Sequence, residues 1–141
     1  MAQSTIRYPV PETSSILARR TAVGVLLAVV SVLVAQALVD ALSIDVGVTG
    51  SMSPFAAGPL ISASVVAGIG AAVAYAAVVK FTAQPVRNFL ALAAGVFVFM
   101  LLPVFGAPPE GITAAGQAIL VVYHALVAVP LVAFITGAVD V

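Results

Sequence analysis

No cysteine and no tryptophan occur in this chain of 141 residues, and charge is scarce: five basic and five acidic side chains. Each shortage excludes something. Without cysteine there are no disulfides, no Fe–S clusters and no thiolate zinc sites. A charged fraction of 7 % lies far below the ~25 % of a soluble domain, and a hydrophobic fraction of 63 % lies well above the usual ~45–50 %. So few charges cannot clothe a water-soluble surface of this size, so lipid is the expected solvent for most of the chain. A net charge of zero gives nucleic acid no electrostatic purchase. With three tyrosines and no tryptophan, the aromatic belt at a membrane interface is thin.

What the chain does have is four apolar stretches of helical length. Residues 1–17 read as a polar tail carrying Pro9 and Pro11, and 18–141 as a single four-helix domain. Thr13, Ser14 and Ser15 offer N-cap oxygens ahead of Ile16. The spans are expected at about 21–42, 59–79, 89–105 and 113–137, long enough for a hydrocarbon core of ~30 Å at ~1.5 Å per residue. Glycines 47, 50 and 58 with Pro54 mark the first loop, and Gly106 to Gly111 the third. Pro59 suits the first turn of the second helix, while Pro103 and Pro130 are expected to bend or end theirs. Strict alternation of barrel type is absent, which leaves helices. The fold class is therefore all-α, an integral membrane four-helix up-down bundle.

The bases divide by loop. Arg7, Arg19 and Arg20 precede the first span, and Lys80 and Arg87 flank the turn between the second and third. The other two loops carry Asp45 and Glu110 and no base. Short loops rich in Lys and Arg stay inside, so both termini are expected on the cytoplasmic side of the plasma membrane. Arg19-Arg20 before an apolar run, with Ala35-Gln36-Ala37 near its end, superficially resembles an export signal. The run is too long for a signal h-region, and the twin arginines lack supporting residues.

Two constellations stand out. In the second span Ser64, Gly68, Ala72 and Ala76 recur every fourth residue, with Ala67, Gly70 and Ala71 beside them. Weaker pairs are Gly24/Ala28, Ser31/Ala35 and Ala133/Gly137. Small residues let helices approach closely in lipid, either inside one bundle or against a partner subunit. Polar residues form the second set: Gln36 and Asp40 on one face of the first helix, and Thr113, Gln117 and His124 on one face of the fourth. First and last helices of an up-down bundle are neighbours, so the five are expected to meet in one hydrogen-bonded cluster. Such a cluster glues helices at ~0.6 kcal/mol per bond, or holds a proton or ligand; Asp40 alone could instead meet lipid headgroups.

No other chemistry is legible. One histidine cannot give bis-His haem ligation, no zinc set accompanies it, and no nucleophile elbow, P-loop or H-E-x-x-H is present. Gly68 and Gly70 lack the third glycine and the strand of a nucleotide site. Tyr75 and Tyr123 read as core tyrosines. No cofactor and no enzymatic activity are expected.

The turn Gln84-Pro85-Val86-Arg87-Asn88-Phe89, the pair Leu102-Pro103, and Tyr123-His124-Ala125-Leu126-Val127 together resemble a family of small four-span membrane proteins of archaea and actinobacteria. The likeness covers about residues 17–137. That family has no assigned activity, so the resemblance implies a fold and a histidine-bearing fourth helix, and carries over no functional residue. The expectation is a non-enzymatic protein that works by helix packing in lipid, as an accessory subunit of a larger membrane complex or as a homo-oligomer. One alternative is a small transporter or channel for ions or protons using the cluster between the first and fourth helices. Another is a quinone-binding redox subunit with His124 and Tyr123 beside the quinone.

Overall fold

The structure, a computed structural model, describes residues 10–141; most of the polar tail expected at 1–17 therefore lies outside the described residues. It contains four helices: α1 (Ser14–Ala41), α2 (Ala57–Phe81), α3 (Pro85–Gly106) and α4 (Ala114–Ile135), with no strand among the described residues. All four are long and apolar enough to cross a membrane. The surface agrees with lipid as solvent. Leu26, Val34, Val66, Val73, Val98, Phe99 and Phe105 each expose more than half their area, a burden no soluble monomer spreads over its whole face.

Local chemistry sets the helix ends. Thr13 Oγ1 accepts from the Ile16 amide, so α1 starts at Ser14 and takes Arg19 and Arg20 inside it. Its 28 residues span about 42 Å, beyond the ~30 Å of hydrocarbon. Pro85 opens α3, where its missing N–H costs nothing, so the helix begins ahead of the expected Phe89. Thr113 Oγ1 caps α4 through the Gly116 amide. Pro103 and Pro130 both sit inside their helices without ending them.

The most extensive packing is α1 on α4; α1 also packs on α2, and α3 touches α2 and α4. Arg19 Nη2 donates to the Val141 main-chain oxygen, which brings the start of α1 beside the segment after α4. At the other end, the Thr113 amide donates to the Val46 carbonyl across 3.1 Å, joining the loops that precede α2 and α4. Glycine makes that junction possible. Gly47 and Gly111 have positive φ of 79° and 83°, and a side chain on Gly47 would collide with the Gly111 carbonyl. Between the helices lie two apolar cores. Val32, Val39, Val46, Phe55, Leu60, Leu120 and Tyr123 fill one, toward the interlocked loops. Tyr75, Phe89, Leu131 and Ile135 fill the other, with Tyr75 and Phe89 edge to face at 5.1 Å.

Only part of the expected row of small residues lies in the packed face of α2. Ser64 and Gly68 are buried, Ala72 is half-buried and Ala76 is exposed. A four-residue step overshoots one helical turn by about 40°, so such a row winds off the packed face. The buried line is instead Leu60, Ser64, Gly68 and Tyr75. A Cβ on Gly68 would run into Val25 Cγ2, and one on Gly24 would meet the Leu131 Cα at 3.4 Å.

Candidate functional site

The polar residues of α1 and α4 come together only in part. Gln36 Nε2 donates to Asp40 Oδ1 at 2.8 Å, as the four-residue spacing requires. Gln36 Oε1 accepts from the Tyr123 hydroxyl at 2.8 Å. The result is a relay, Tyr123 to Gln36 to Asp40, leading from a buried tyrosine to an exposed carboxylate. Phe55 stacks edge-on against Tyr123 at 6.1 Å and closes the buried end.

The other three expected members go elsewhere. Thr113 donates to the Asp45 main-chain carbonyl at 2.6 Å and caps α4, so it serves the loop junction. Gln117 Nε2 donates to the Val104 carbonyl of α3 at 3.0 Å. That carbonyl would ordinarily bond the amide four residues on, but position 108 is proline and has none. His124 Nδ1 lies 2.6 Å from the Leu120 carbonyl of its own helix. A carbonyl only accepts, so Nδ1 carries the hydrogen of that bond. A common helical face thus did not make a common cluster, because α4 has three neighbours and its polar side chains divide among them. The sequence reading missed Tyr123 as the partner of Gln36. Its spacing from Gln117 and His124 gave no hint, and only the α1–α4 contact supplies it.

Asp40 and Gln36 form part of the wall of a cavity of ≈ 430 Å³ on the loop side, with Leu33, Val48, Ser53 and Phe55. Two backbone acceptors nearby are already engaged. The Val48 carbonyl takes the Ser53 hydroxyl at 3.0 Å, and the Val46 carbonyl takes the Thr113 amide.

A second polar locus lies at the opposite end, beside the core built on Tyr75. Arg20 is 7 % exposed and its guanidinium lies across Gly137, just past the end of α4. Its Nη1 and the Tyr75 hydroxyl are buried with no hydrogen-bond partner among the described residues. What favours the cation there is the negative end of the α4 dipole. Midway along α1, Ala28 and Val32 have no exposed surface and stand between this locus and the relay.

Two features face lipid. A groove of ≈ 670 Å³ between α1 and α2 is lined by Leu17, Ala18, Val25, Ile69 and Ala72. Farther round α2, Ala63, Ala67, Gly70 and Ala77 are exposed, with Ala74 half-buried among them, and a Cβ on Gly70 would meet nothing within 4 Å. Their spacing alternates four and three, the period of a straight seam between two helices. It was available in the sequence, overshadowed by the four-residue row beside it. Comparisons with protein-family models, with curated proteins and with solved structures find no match to this chain.

Proposed function

We propose that this multi-pass membrane protein works by association, as an accessory subunit of a larger membrane assembly or as a homo-oligomer. The observation that carries the reading is the seam Ala63–Ala67–Gly70–Ala77, small residues at a 3.5 period left uncovered by the chain's own helices. Lipid tails are as apolar as leucine, so helices in a bilayer gain most from close backbone contact, which small residues permit. The polar residues support the same reading. Gln117, Thr113 and His124 each bond a main-chain carbonyl, and a packed apolar middle at Ala28 and Val32 separates Asp40 from Arg20. That separation favours association over passage of ions or protons.

Membership of the four-span family of archaea and actinobacteria belongs to the same proposal, on the strength of the motifs at 84–89, 102–103 and 123–127. So does a plasma-membrane location with both termini cytoplasmic. Arg19, Arg20, Lys80 and Arg87 stand at the helix ends opposite Asp45 and Glu110, and the positive-inside rule orients them.

Thiol cross-linking tests the seam directly, because the natural chain has no cysteine to interfere. Gly70→Cys in native membranes should cross-link on mild oxidation or with a short bifunctional reagent, to itself or to a fixed partner band. Ile69→Cys, also exposed but turned about 100° round the helix from Gly70, should not. Equal cross-linking at both positions, or none at either, would count against association through this face.

A further inference from the structure

We propose that the cavity between the end of α1 and the loop before α2 binds a small ammonium-bearing molecule, with its cation on Asp40. This does not depend on the association seam, which lies on another part of the chain.

The first argument is geometric. The Asp40 carboxylate is exposed at the wall of a ≈ 430 Å³ space, a size suited to a few non-hydrogen atoms with their water. It is also held in place. The Tyr123 hydroxyl fixes the Gln36 amide, and that amide fixes Asp40 Oδ1. Oδ2 has no hydrogen-bond partner among the described residues. A carboxylate oriented by a tyrosine-anchored amide is prepared to receive a donor without further ordering, which lowers the entropic cost of binding.

The second argument is charge. The loops at this end carry Asp45 and Glu110 with no Lys or Arg, so their net charge favours a cation over an anion. An anion would meet Asp40 at the wall; a cation would not be opposed by any base.

The third argument separates an organic cation from a metal ion. Calcium takes six to eight oxygens and magnesium a near-ideal octahedron. The wall supplies one carboxylate, and no group of three or more His, Cys, Asp or Glu side chains that could hold a metal ion gathers among the described residues. The rest of the lining is mixed: Leu33, Ala37 and Phe55 are apolar, while Gln36, Thr49 and Ser53 bring neutral polar groups. One charge among neutral polar and apolar groups suits an ammonium on a short polar skeleton such as an amino alcohol. Ala56 and Ala57 at the start of α2 also line the space, and because a helix N-terminus repels a cation, the ammonium belongs at Asp40 rather than beside them.

Such a group reaches this place from two sources, a free amine in solution or the ethanolamine headgroup of a lipid. The probe is ethanolamine, titrated calorimetrically into the full chain in phosphatidylglycerol nanodiscs, with empty discs subtracted. Saturable binding at one site per chain is expected, weakened at least tenfold by Asp40→Asn. That variant keeps an acceptor for Gln36, and circular dichroism checks its fold. Ala37→Phe, which retains the carboxylate and fills the space, should also abolish binding. Repeating the titration in phosphatidylethanolamine discs identifies the source: loss of binding assigns the site to the lipid headgroup, and unchanged binding assigns it to a soluble amine. No saturable heat in phosphatidylglycerol discs would overturn the proposal. So would binding by Asp40→Asn equal to wild type, or displacement of ethanolamine by an equal concentration of sodium.

Discussion

The guanidinium of Arg20 lies over Gly137, so close that a Cβ on the glycine would sit 2.8 Å from Nη2 and 3.0 Å from Cζ. Gly137 also has φ of +75°, in the region L side chains avoid. Two constraints thus fall on one residue. It turns the chain out of α4, and it leaves room for a buried cation at the negative end of that helix. Gly137→Ala should therefore destabilise the protein by about 1–2 kcal/mol from backbone strain alone, with any displacement of Arg20 adding to it. Unfolding in mixed micelles of increasing SDS, followed by far-UV circular dichroism, measures this; a variant as stable as wild type would contradict it.

Tyr75 behaves oppositely. Its ring packs against Phe89 in the core, but its hydroxyl is buried without a hydrogen-bond partner among the described residues. Removing an unsatisfied buried hydroxyl relieves a desolvation cost. Tyr75→Phe is expected to match or exceed wild-type stability in the same titration. A loss above about 1 kcal/mol would show that the hydroxyl has a partner that matters.

The bond from Gln117 to the Val104 carbonyl compensates for the amide that Pro108 lacks. Gln117→Leu leaves that carbonyl half-buried and unpaired, at an expected cost of about 1–3 kcal/mol. Stability within a few tenths of a kcal/mol of wild type would mean that water or lipid headgroups satisfy it instead.

Four spans were legible because hydropathy over some twenty residues is a strong, local signal, and an apolar run without strict alternation can satisfy its backbone in lipid only as a helix. The helix starts were less so. Thr13 and Pro85 mark them chemically, but the apolar runs by which spans are recognised begin later, so Arg19 and Arg20 read as flanks while lying inside α1. The polar cluster shows the larger gap. Periodicity placed Gln36 with Asp40 correctly, since both are on one helix. It could not foresee that Gln117 would serve α3 or that Tyr123 would reach Gln36, because both depend on how three helices meet.

Close contact at Gly68 gives a further test. Its hydrogen occupies the place where a Cβ would strike Val25, so Gly68→Leu should cost about 1–3 kcal/mol through overpacking. Val66→Leu, on an exposed position, should stay within about 0.5 kcal/mol of wild type. Equal stability of Gly68→Leu and Val66→Leu would contradict a tight contact between α1 and α2.

Association through the exposed seam of α2 is tested most directly by native mass spectrometry after gentle extraction, comparing wild type with Gly70→Leu. Among the described residues nothing lies within 4 Å of a Cβ at Gly70, and replacing a mid-helix glycine favours the helix, so the variant should fold at least as well alone. Wild type is expected to travel as a complex of defined stoichiometry, with itself or with another membrane subunit, and Gly70→Leu as the separated chain. A wild type that is monomeric across mild detergents, or a variant that keeps the same complex, would contradict the proposed association.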